Sequence, residues 1–182
     1  MKENRLSNIK TAVILLILVT TATCSHSAVD NQNQAAASNT AAEARRIASV
    51  DVVKATPQQV DIPAGGSADT TLNLKIQNGY HVNANPPSYP YLKATELDIP
   101  SSSGISVGFI SYPTPITKKF SFAEGPLAVY EGETTLKVRL KADKSAPPGT
   151  HNLAGKLRVQ ACDDQVCYPP GTIDVAIPVT IK

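Results

Sequence analysis

The chain has 182 residues, of which 42% are hydrophobic and 18% charged, a balance that suits one globular domain with its own core. Its formal net charge is +2, but outside the first 24 residues acidic and basic residues are equal in number, so nucleic-acid binding is not expected. A methionine-rich copper site is excluded, because methionine occurs only at position 1.

The N-terminus has the pattern of an export signal. Three basic residues, Lys2, Arg5 and Lys10, precede the apolar run Thr11–Val19, which is too short to span a bilayer comfortably. Residues 1–24 are therefore predicted to be a signal peptide. An uncleaved membrane anchor is the alternative.

Cys24 offers a choice between two kinds of processing. The segment Thr21-Ala-Thr-Cys24 resembles a bacterial lipobox, in which Cys24 would become the lipidated first residue, although Thr stands where Leu and a smaller residue are usual. Ordinary cleavage after Ala22 or Ser27 also fits a small-x-small pattern. We favour lipidation, because three cysteines in an oxidising compartment leave one unpaired and lipidation of Cys24 would remove the odd one. Cleavage after Ser27 would remove it too.

Residues 25–46 are predicted to be a flexible polar linker. The segment is rich in Ala, Asn, Gln and Ser and shows no hydrophobic period, so it cannot bury enough apolar surface to become ordered. A flexible linker of this length has a root-mean-square end-to-end distance of roughly 25 Å, which suits a domain that moves between partners.

From Ile47 onward the pattern is typical of strands, and no convincing amphipathic helix is found. Apolar and polar residues alternate in Thr71–Ile76, Thr135–Leu140, Leu153–Val159 and Thr172–Ile181. Turn signals rich in Gly and Pro separate these runs, and Pro178 marks a strand edge or a bulge. Residues 47–182 are therefore predicted to form an all-β domain, an immunoglobulin-like antiparallel β-sandwich.

The strongest local feature is the pair Cys162 and Cys167, separated by four residues between two predicted strands. Opposed residues of a hairpin have Cα atoms roughly 4.5 to 5.5 Å apart, within the range that a disulfide tolerates. Export makes oxidation feasible, so a Cys162–Cys167 disulfide is predicted. Spacing alone leaves a structural staple and a redox-active pair equally open.

Other chemistry at the pair is not expected. A metal site would need His81 and His151 as further ligands, and neither has ligand spacing with the cysteines, so no metal and no other cofactor are predicted. Asp163 and Asp164 add negative charge to the turn, which disfavours a thiolate. Alternatively, the two Asp residues simply favour the turn.

Three segments carry a resemblance to a known family. Gln160-Ala-Cys162, followed by Cys167-Tyr-Pro-Pro170, resembles the N-terminal periplasmic domain of the thiol:disulfide interchange protein DsbD. The segment Gly79–Pro87 and the later Val129-Tyr-Glu-Gly132 resemble stand-alone relatives of that domain. The resemblance covers roughly residues 48–182 and implies an immunoglobulin-like sandwich that carries electrons by thiol-disulfide exchange.

The resemblance also implies roles for individual residues. Cys167 would be the attacking thiol and Cys162 the resolving thiol. An aromatic cap over the cysteines would be formed by Phe120 and Phe122, within Lys118–Gly125, unless one Phe is ordinary core.

Three further residues are expected beside the cysteine pair. His81 and Asn83 match family positions there, and Tyr168 belongs to the Cys-Tyr-Pro-Pro motif. His81 would stabilise a thiolate or accept its proton, or it is a structural residue without such a role.

The partners implied are thioredoxin-like redox proteins and a membrane thiol-disulfide transporter, which would be a separate protein. The resemblance places the domain in the periplasm or cell envelope of a bacterium, as a monomer that touches the membrane only through a lipid anchor on Cys24. The sequence names neither the electron donor nor the acceptor, nor the direction of net flow. The alternative is a non-catalytic exported immunoglobulin-like binding module with a structural disulfide.

Overall fold

The computed structural model describes residues 47–182, so the predicted signal peptide, the linker and Cys24 lie outside it. Within this range the chain forms twelve strands and no helix. Accordingly, the described range has no helix long and apolar enough to cross a membrane. The strands are β1 (Val53–Pro57), β2 (Val60–Ile62), β3 (Ser67–Ile76), β4 (His81–Asn83), β5 (Glu96–Asp98), β6 (Ile105–Ser111), β7 (Ile116–Lys118), β8 (Leu127–Tyr130), β9 (Glu133–Ala142), β10 (Gly149–Val159), β11 (Ala161–Cys162) and β12 (Gly171–Ile181).

The strands of residues 47–182 assemble into three four-stranded sheets, with the orders β1-β3-β9-β6, β2-β12-β10-β5 and β11-β4-β8-β7. The first two contain the long strands and form the sandwich, which confirms the predicted all-β, immunoglobulin-like fold. Every pairing but one is antiparallel in this part of the chain. The exception is β2, which runs parallel to the end of β12.

The long strands follow the alternation of the sequence, and the four predicted runs lie within β3, β9, β10 and β12. In β9 the side chains of Leu136, Val138 and Leu140 are fully buried, while Lys137 and Lys141 between and beyond them are exposed. This pattern arises because one face of each sheet packs against the other sheet and the opposite face meets solvent.

Pro178 lies inside β12, where its lack of an N–H group is tolerated. On one side it is paired with Asn152 of β10, and on the other side the pairing with β2 begins only at Val179. On the side of β12 that faces β2, Pro178 therefore lies just before the pairing begins. This agrees with the prediction that Pro178 marks a strand edge.

Two apolar clusters lie at different places in the fold. The larger one fills the sandwich with side chains from both long sheets, among them Leu72, Leu136, Leu157 and Ile177. The smaller one is formed by β8, the turn before it and the loop between β4 and β5, and Cys167 packs against it. Its buried members are Leu92, Phe120, Leu127 and Val129.

Candidate functional site around the Cys162–Cys167 disulfide

The predicted disulfide between Cys162 and Cys167 is present. Cys162 ends β11, and Cys167 pairs with it as an isolated antiparallel bridge after a four-residue turn. The two Cα atoms are 3.9 Å apart, closer than the roughly 4.5 to 5.5 Å expected for opposed hairpin residues. We call residues 162–167 the cysteine turn.

The two sulfur-bearing residues differ in exposure. Cys162 is fully buried, at 0% relative exposure, whereas Cys167 is partly exposed. Cys167 lines a surface pocket of about 240 Å³. The other lining residues are mostly apolar: Tyr91, Leu92, Phe122, Ala123, Leu127 and Gln160. Cys167 is therefore the cysteine that faces the pocket, whereas Cys162 is enclosed by the protein.

Asp163 organises the cysteine turn from inside. Its Oδ1 accepts hydrogen bonds from the backbone N–H groups of Gln165 and Val166, both at 2.8 Å. Its Oδ2 accepts one from the hydroxyl of Tyr168 at 2.5 Å. This carboxylate thus joins the turn to the residue that follows it.

These bonds shift two pKa values in opposite directions. Partial burial raises the pKa of Asp163, but the hydrogen bonds from Tyr168 and from the backbone of Gln165 and Val166 outweigh it, so the pKa lies below the ordinary 3.8. The same bond to Asp163, helped by burial, raises the pKa of Tyr168 to about 12. At neutral pH the pair is a carboxylate that accepts from a neutral phenol.

The side-chain amide of Gln160 forms hydrogen bonds with three segments around the cysteine turn. Its Oε1 accepts hydrogen bonds from the side-chain amide of Asn83 at 3.0 Å and from the backbone N–H of Lys93 at 2.7 Å. Its Nε2 donates to the backbone carbonyl of Tyr168 at 3.3 Å. The sequence placed Gln160 only in a motif, and its position two residues before Cys162 was the one signal of this role.

Ser49 is a site residue that the sequence did not reveal. Its hydroxyl donates to the carbonyl of Pro169 at 2.7 Å and accepts from the N–H of Ala161 at 2.9 Å. The side chain is buried, with 1% exposure. No motif surrounds Ser49, and it lies 112 residues before Ala161, so only the fold could bring them together.

His81 lies opposite Cys162 in the pairing of β4 with β11. The ring is buried, and its Nε2 lies 2.7 Å from the ammonium group of Lys118 and 3.0 Å from Oε2 of Glu131. Among residues 47–182, His81 Nδ1 and Asn83 Oδ1 have no hydrogen-bond partner. The expected neighbours His81 and Asn83 are thus in the sheet that carries Cys162.

Phe120 and Phe122 lie in the turn after β7, not in a strand, so strand alternation does not apply to them. Their ring centroids are 5.3 Å apart. Phe120 is buried in the cluster against which Cys167 packs, while Phe122 is 38% exposed and lines the pocket at Cys167. We call residues 118–125 the cap segment.

Asp164 ties the cap segment to the cysteine turn. One oxygen of its carboxylate lies 3.3 Å from the ammonium group of Lys118, and its backbone carbonyl accepts a hydrogen bond from the Ser121 hydroxyl at 3.0 Å. Both contacts lie at the protein surface, where ion pairs are individually weak.

Metal ligation finds no support in the described residues. Within 47–182 no group of three or more His, Cys, Asp or Glu side chains is arranged to hold a metal ion.

Comparisons with known proteins give one family match. The family model described as "Thiol:disulfide interchange protein DsbD, N-terminal" matches residues 49–178. No curated protein matches the chain at a significant level.

Several solved structures are similar to this chain at low sequence identity. The N-terminal periplasmic domain of ScsB from Proteus mirabilis is 20% identical, with a TM-score of 0.47 over 69% of this chain and 44% of that one. CaCohA2 from Clostridium acetobutylicum is 12% identical, with a TM-score of 0.41 over 74% of this chain and 95% of that one. The chain thus spans less than half of the ScsB domain.

Proposed function

The chain belongs to the family of the N-terminal domain of the thiol:disulfide interchange protein DsbD, and from this premise we propose that it carries electron pairs between thiol proteins through Cys162 and Cys167. The observation that carries the proposal is the unequal exposure of the two cysteines. Cys167 is accessible at an apolar pocket, whereas Cys162 is buried directly behind it. A carrier needs one sulfur that partners can reach and one that only its own partner cysteine can reach.

The proposed reaction has two steps. In the reduced protein, the Cys167 thiolate attacks a disulfide of the acceptor, a mixed disulfide forms, and one acceptor thiolate leaves. The Cys162 thiolate then attacks the sulfur of Cys167 and displaces the second acceptor thiolate. Two electrons pass to the acceptor, whose thiolates take up the two protons that Cys162 and Cys167 release. The Cys162–Cys167 disulfide is reduced again when a donor dithiol attacks it and the same two exchange steps occur in reverse.

The surroundings of Cys167 support its role as the attacking thiol. Tyr91, 67% exposed, and Val166, 48% exposed, extend the apolar surface around it. Such a surface can bind a partner protein through apolar contacts near the exchanging sulfur. Cys162 would be the resolving thiol, and the cap segment would cover Cys167 until a partner binds.

The partners and the location are also proposals. We assign residues 1–24 to an export signal, Cys24 to lipidation, residues 25–46 to the linker and residues 47–182 to the exchange domain. The domain would work as a monomer in the bacterial periplasm or cell envelope. It would receive electrons from a membrane-linked thioredoxin-like donor and pass them to thioredoxin-like thiol proteins.

Trapping of mixed disulfides tests this function. A Cys162→Ala variant of the full chain lacks the resolving thiol, so covalent complexes should accumulate when it is mixed with an oxidised thioredoxin-like protein. A Cys167→Ala variant should give none through Cys162, because that cysteine is buried. Non-reducing gels compare the two variants directly.

The Cys162→Ala, Cys167→Ala double variant is the control, since it retains Cys24. Complexes formed by the double variant would come from Cys24 and would have to be subtracted. Complexes that appear only with Cys167→Ala would reverse the two roles. Complexes with neither single variant would reject the proposed exchange with that partner.

The reduction potential distinguishes this function from that of a binding module with a structural disulfide. Structural disulfides usually have potentials below about −300 mV, whereas exchange-active ones are more oxidising. We expect a value above this limit for the Cys162–Cys167 pair. A value well below it would favour the binding module.

A further inference from the structure

The hydroxyl of Ser49 bridges the two chain segments that enter and leave the cysteine turn. Ala161, whose N–H it accepts, directly precedes Cys162. Pro169, to whose carbonyl it donates, follows Cys167 by two residues. The bridge therefore closes a ring around the disulfide without involving either sulfur.

Ser49 is itself firmly held. It belongs to a turn closed by the hydrogen bond from the N–H of Asp51 to the carbonyl of Ala48, at 2.9 Å. The next residue, Val50, packs onto Gly171, where an added Cβ would come within 2.6 Å of Cγ1 of Val50. A side chain at residue 171 would thus displace the turn that presents Ser49.

Two more bonds run between the same two segments. The N–H of Tyr168 donates to the carbonyl of Ala161 at 2.8 Å, and Nε2 of Gln160 donates to the carbonyl of Tyr168. Ser49 differs from them because it anchors both segments to a third part of the chain. None of these bonds depends on the disulfide, so all of them can persist after its reduction.

We propose that Ser49 is a positioning residue for thiol-disulfide exchange: its hydroxyl holds Ala161 and Pro169 together, and so keeps the two thiols of the reduced pair within reach of each other. The inference rests on the proposed function. It adds a reason why the second step, attack of Cys162 on Cys167, would outpace reversal of the first step by the displaced acceptor thiolate. Proximity of this kind acts as a high effective concentration of one thiol for the other.

The consequence of losing the hydroxyl follows from the two redox states. In the oxidised state the disulfide itself limits separation of the two segments. In the reduced state without Ser49 they gain open arrangements in which the sulfurs are apart, and this favours the reduced state. A Ser49→Ala variant should therefore form its disulfide less readily.

Equilibration with reduced and oxidised glutathione measures this effect. For Ser49→Ala we expect an equilibrium constant for disulfide formation about fivefold below that of the unaltered protein, because the hydrogen bonds are lost in both redox states and only the added conformational freedom of the reduced state shifts the equilibrium. The mixed disulfide between Cys167 and glutathione should also resolve more slowly, by a similar factor.

Thr70→Val is the matched control. The Thr70 hydroxyl is also buried and also donates to a backbone carbonyl at 2.7 Å, that of Gln58, but in the β1–β3 sheet. Both variants should lose stability, and only Ser49→Ala should change the glutathione equilibrium. Equal equilibrium constants for Ser49→Ala, Thr70→Val and the unaltered protein would overturn the proposal.

Amide hydrogen exchange on the unaltered protein tests the proposal without any variant that could fail to fold. The N–H of Ala161, which donates to Ser49, should stay protected in both the oxidised and the reduced protein. Exchange at the rate of an unstructured peptide after reduction would overturn the positioning role.

These outcomes are separate from those of the trapping experiment. Glutathione equilibration needs no protein partner, so a failure to trap complexes would reject the exchange partner and leave the effect of Ser49 measurable. Conversely, successful trapping with an unchanged glutathione equilibrium would reject only the role of Ser49.

Discussion

At the scale of single residues, the two acidic side chains of the cysteine turn have different partners. Asp163 faces inward, where two backbone N–H groups and the Tyr168 hydroxyl surround its carboxylate. Asp164 faces the surface and pairs with Lys118. The negative charge that the sequence places beside the cysteines is therefore partly offset at both positions, and Asp163 also shapes the turn.

The hydrogen bond between Tyr168 and Asp163 stabilises the folded protein only within a defined range of pH. Because folding lowers the pKa of Asp163, the stability that it contributes is present above the ordinary value of 3.8 and is lost as the pH falls through the lower folded value. Folding raises the pKa of Tyr168 from 10.0 to about 12, so its contribution is complete below pH 10 and is lost as the pH rises towards 12.

A Tyr168→Phe variant should therefore lose about 1 kcal/mol of unfolding free energy at neutral pH. The loss should diminish when either group changes its charge at the acid or alkaline limit. Denaturant unfolding of both proteins across the pH range measures it. Tyr91→Phe, which alters an exposed ring, is the control and should have no effect; an equal loss in both variants would contradict the role of the Asp163 bond.

Sequence reasoning pointed to residues that carry a motif or a special chemistry. The cysteine spacing, together with the export signal, predicted the disulfide, because a short turn between two strands leaves little choice of geometry. The supporting roles of Ser49 and Gln160 were not predicted, because their hydrogen-bond partners are mostly backbone groups of distant segments. A hydroxyl or amide that binds backbone leaves no pattern in a single sequence.

At the scale of elements, the cap segment is fixed to the rest of the site in two unequal ways. Phe120 is buried in the small apolar cluster, which is a strong attachment. Ser121 and Lys118 hold Asp164 by a surface hydrogen bond and a surface ion pair, which are weak ones. Opening of the exposed part of the cap would therefore break only the weak contacts.

Lys118→Met removes both the ion pair with Asp164 and the contact of the ammonium group with His81 Nε2, so it should weaken this attachment and expose Cys167 more often. We expect the disulfide to be reduced by a small phosphine about two- to fivefold faster than in the unaltered protein, as loss of a surface ion pair worth up to about 1 kcal/mol allows. High salt should accelerate the unaltered protein towards the rate of the variant, because it screens the Lys118–Asp164 pair. The rate of thiol release measures both effects.

Lys119→Met is the matched control, since Lys119 is an exposed neighbour of equal charge. It should leave the rate close to that of the unaltered protein. If Lys118→Met and Lys119→Met reacted equally fast, a general change in charge would explain the result and the ion pair would have no special role.

At the scale of the whole molecule, the two cysteines lie outside the main core, although their neighbours Ala161 and Tyr168 contribute to it. Neither cysteine belongs to the large cluster that fills the sandwich, and Cys167 only packs against the small one. Stability of the sandwich should therefore depend only modestly on the oxidation state of the pair, which suits the proposed carrier role.

The Cys162→Ala, Cys167→Ala double variant should accordingly remain folded. Loss of so short a closed loop removes about 2 kcal/mol, which lowers the melting temperature by roughly 5 °C in a domain of this size. Circular dichroism on heating measures the shift, and the unaltered protein reduced with dithiothreitol should show a similar one. A double variant that is unfolded at about 25 °C would make the disulfide a structural staple.

The long strands could be predicted from the sequence, but the third sheet could not. In β3, β9, β10 and β12 one buried face imposes an alternation that persists over many residues. In β4 all three residues, His81 to Asn83, are buried, so no alternation exists to be read. Strands of two to four residues, such as β11 and β8, are set by tertiary packing and by the turns between them.

The burial of Cys162 behind Cys167 also bears on survival under oxidative stress. Hydrogen peroxide can reach only the outer sulfur of the reduced pair, which becomes a sulfenic acid. The inner thiol then condenses with it, releases water and restores the ordinary disulfide before further oxidation to a sulfinic acid. Mass spectrometry after peroxide treatment should find the irreversible product on Cys167 of a Cys162→Ala variant and little of it on the intact pair.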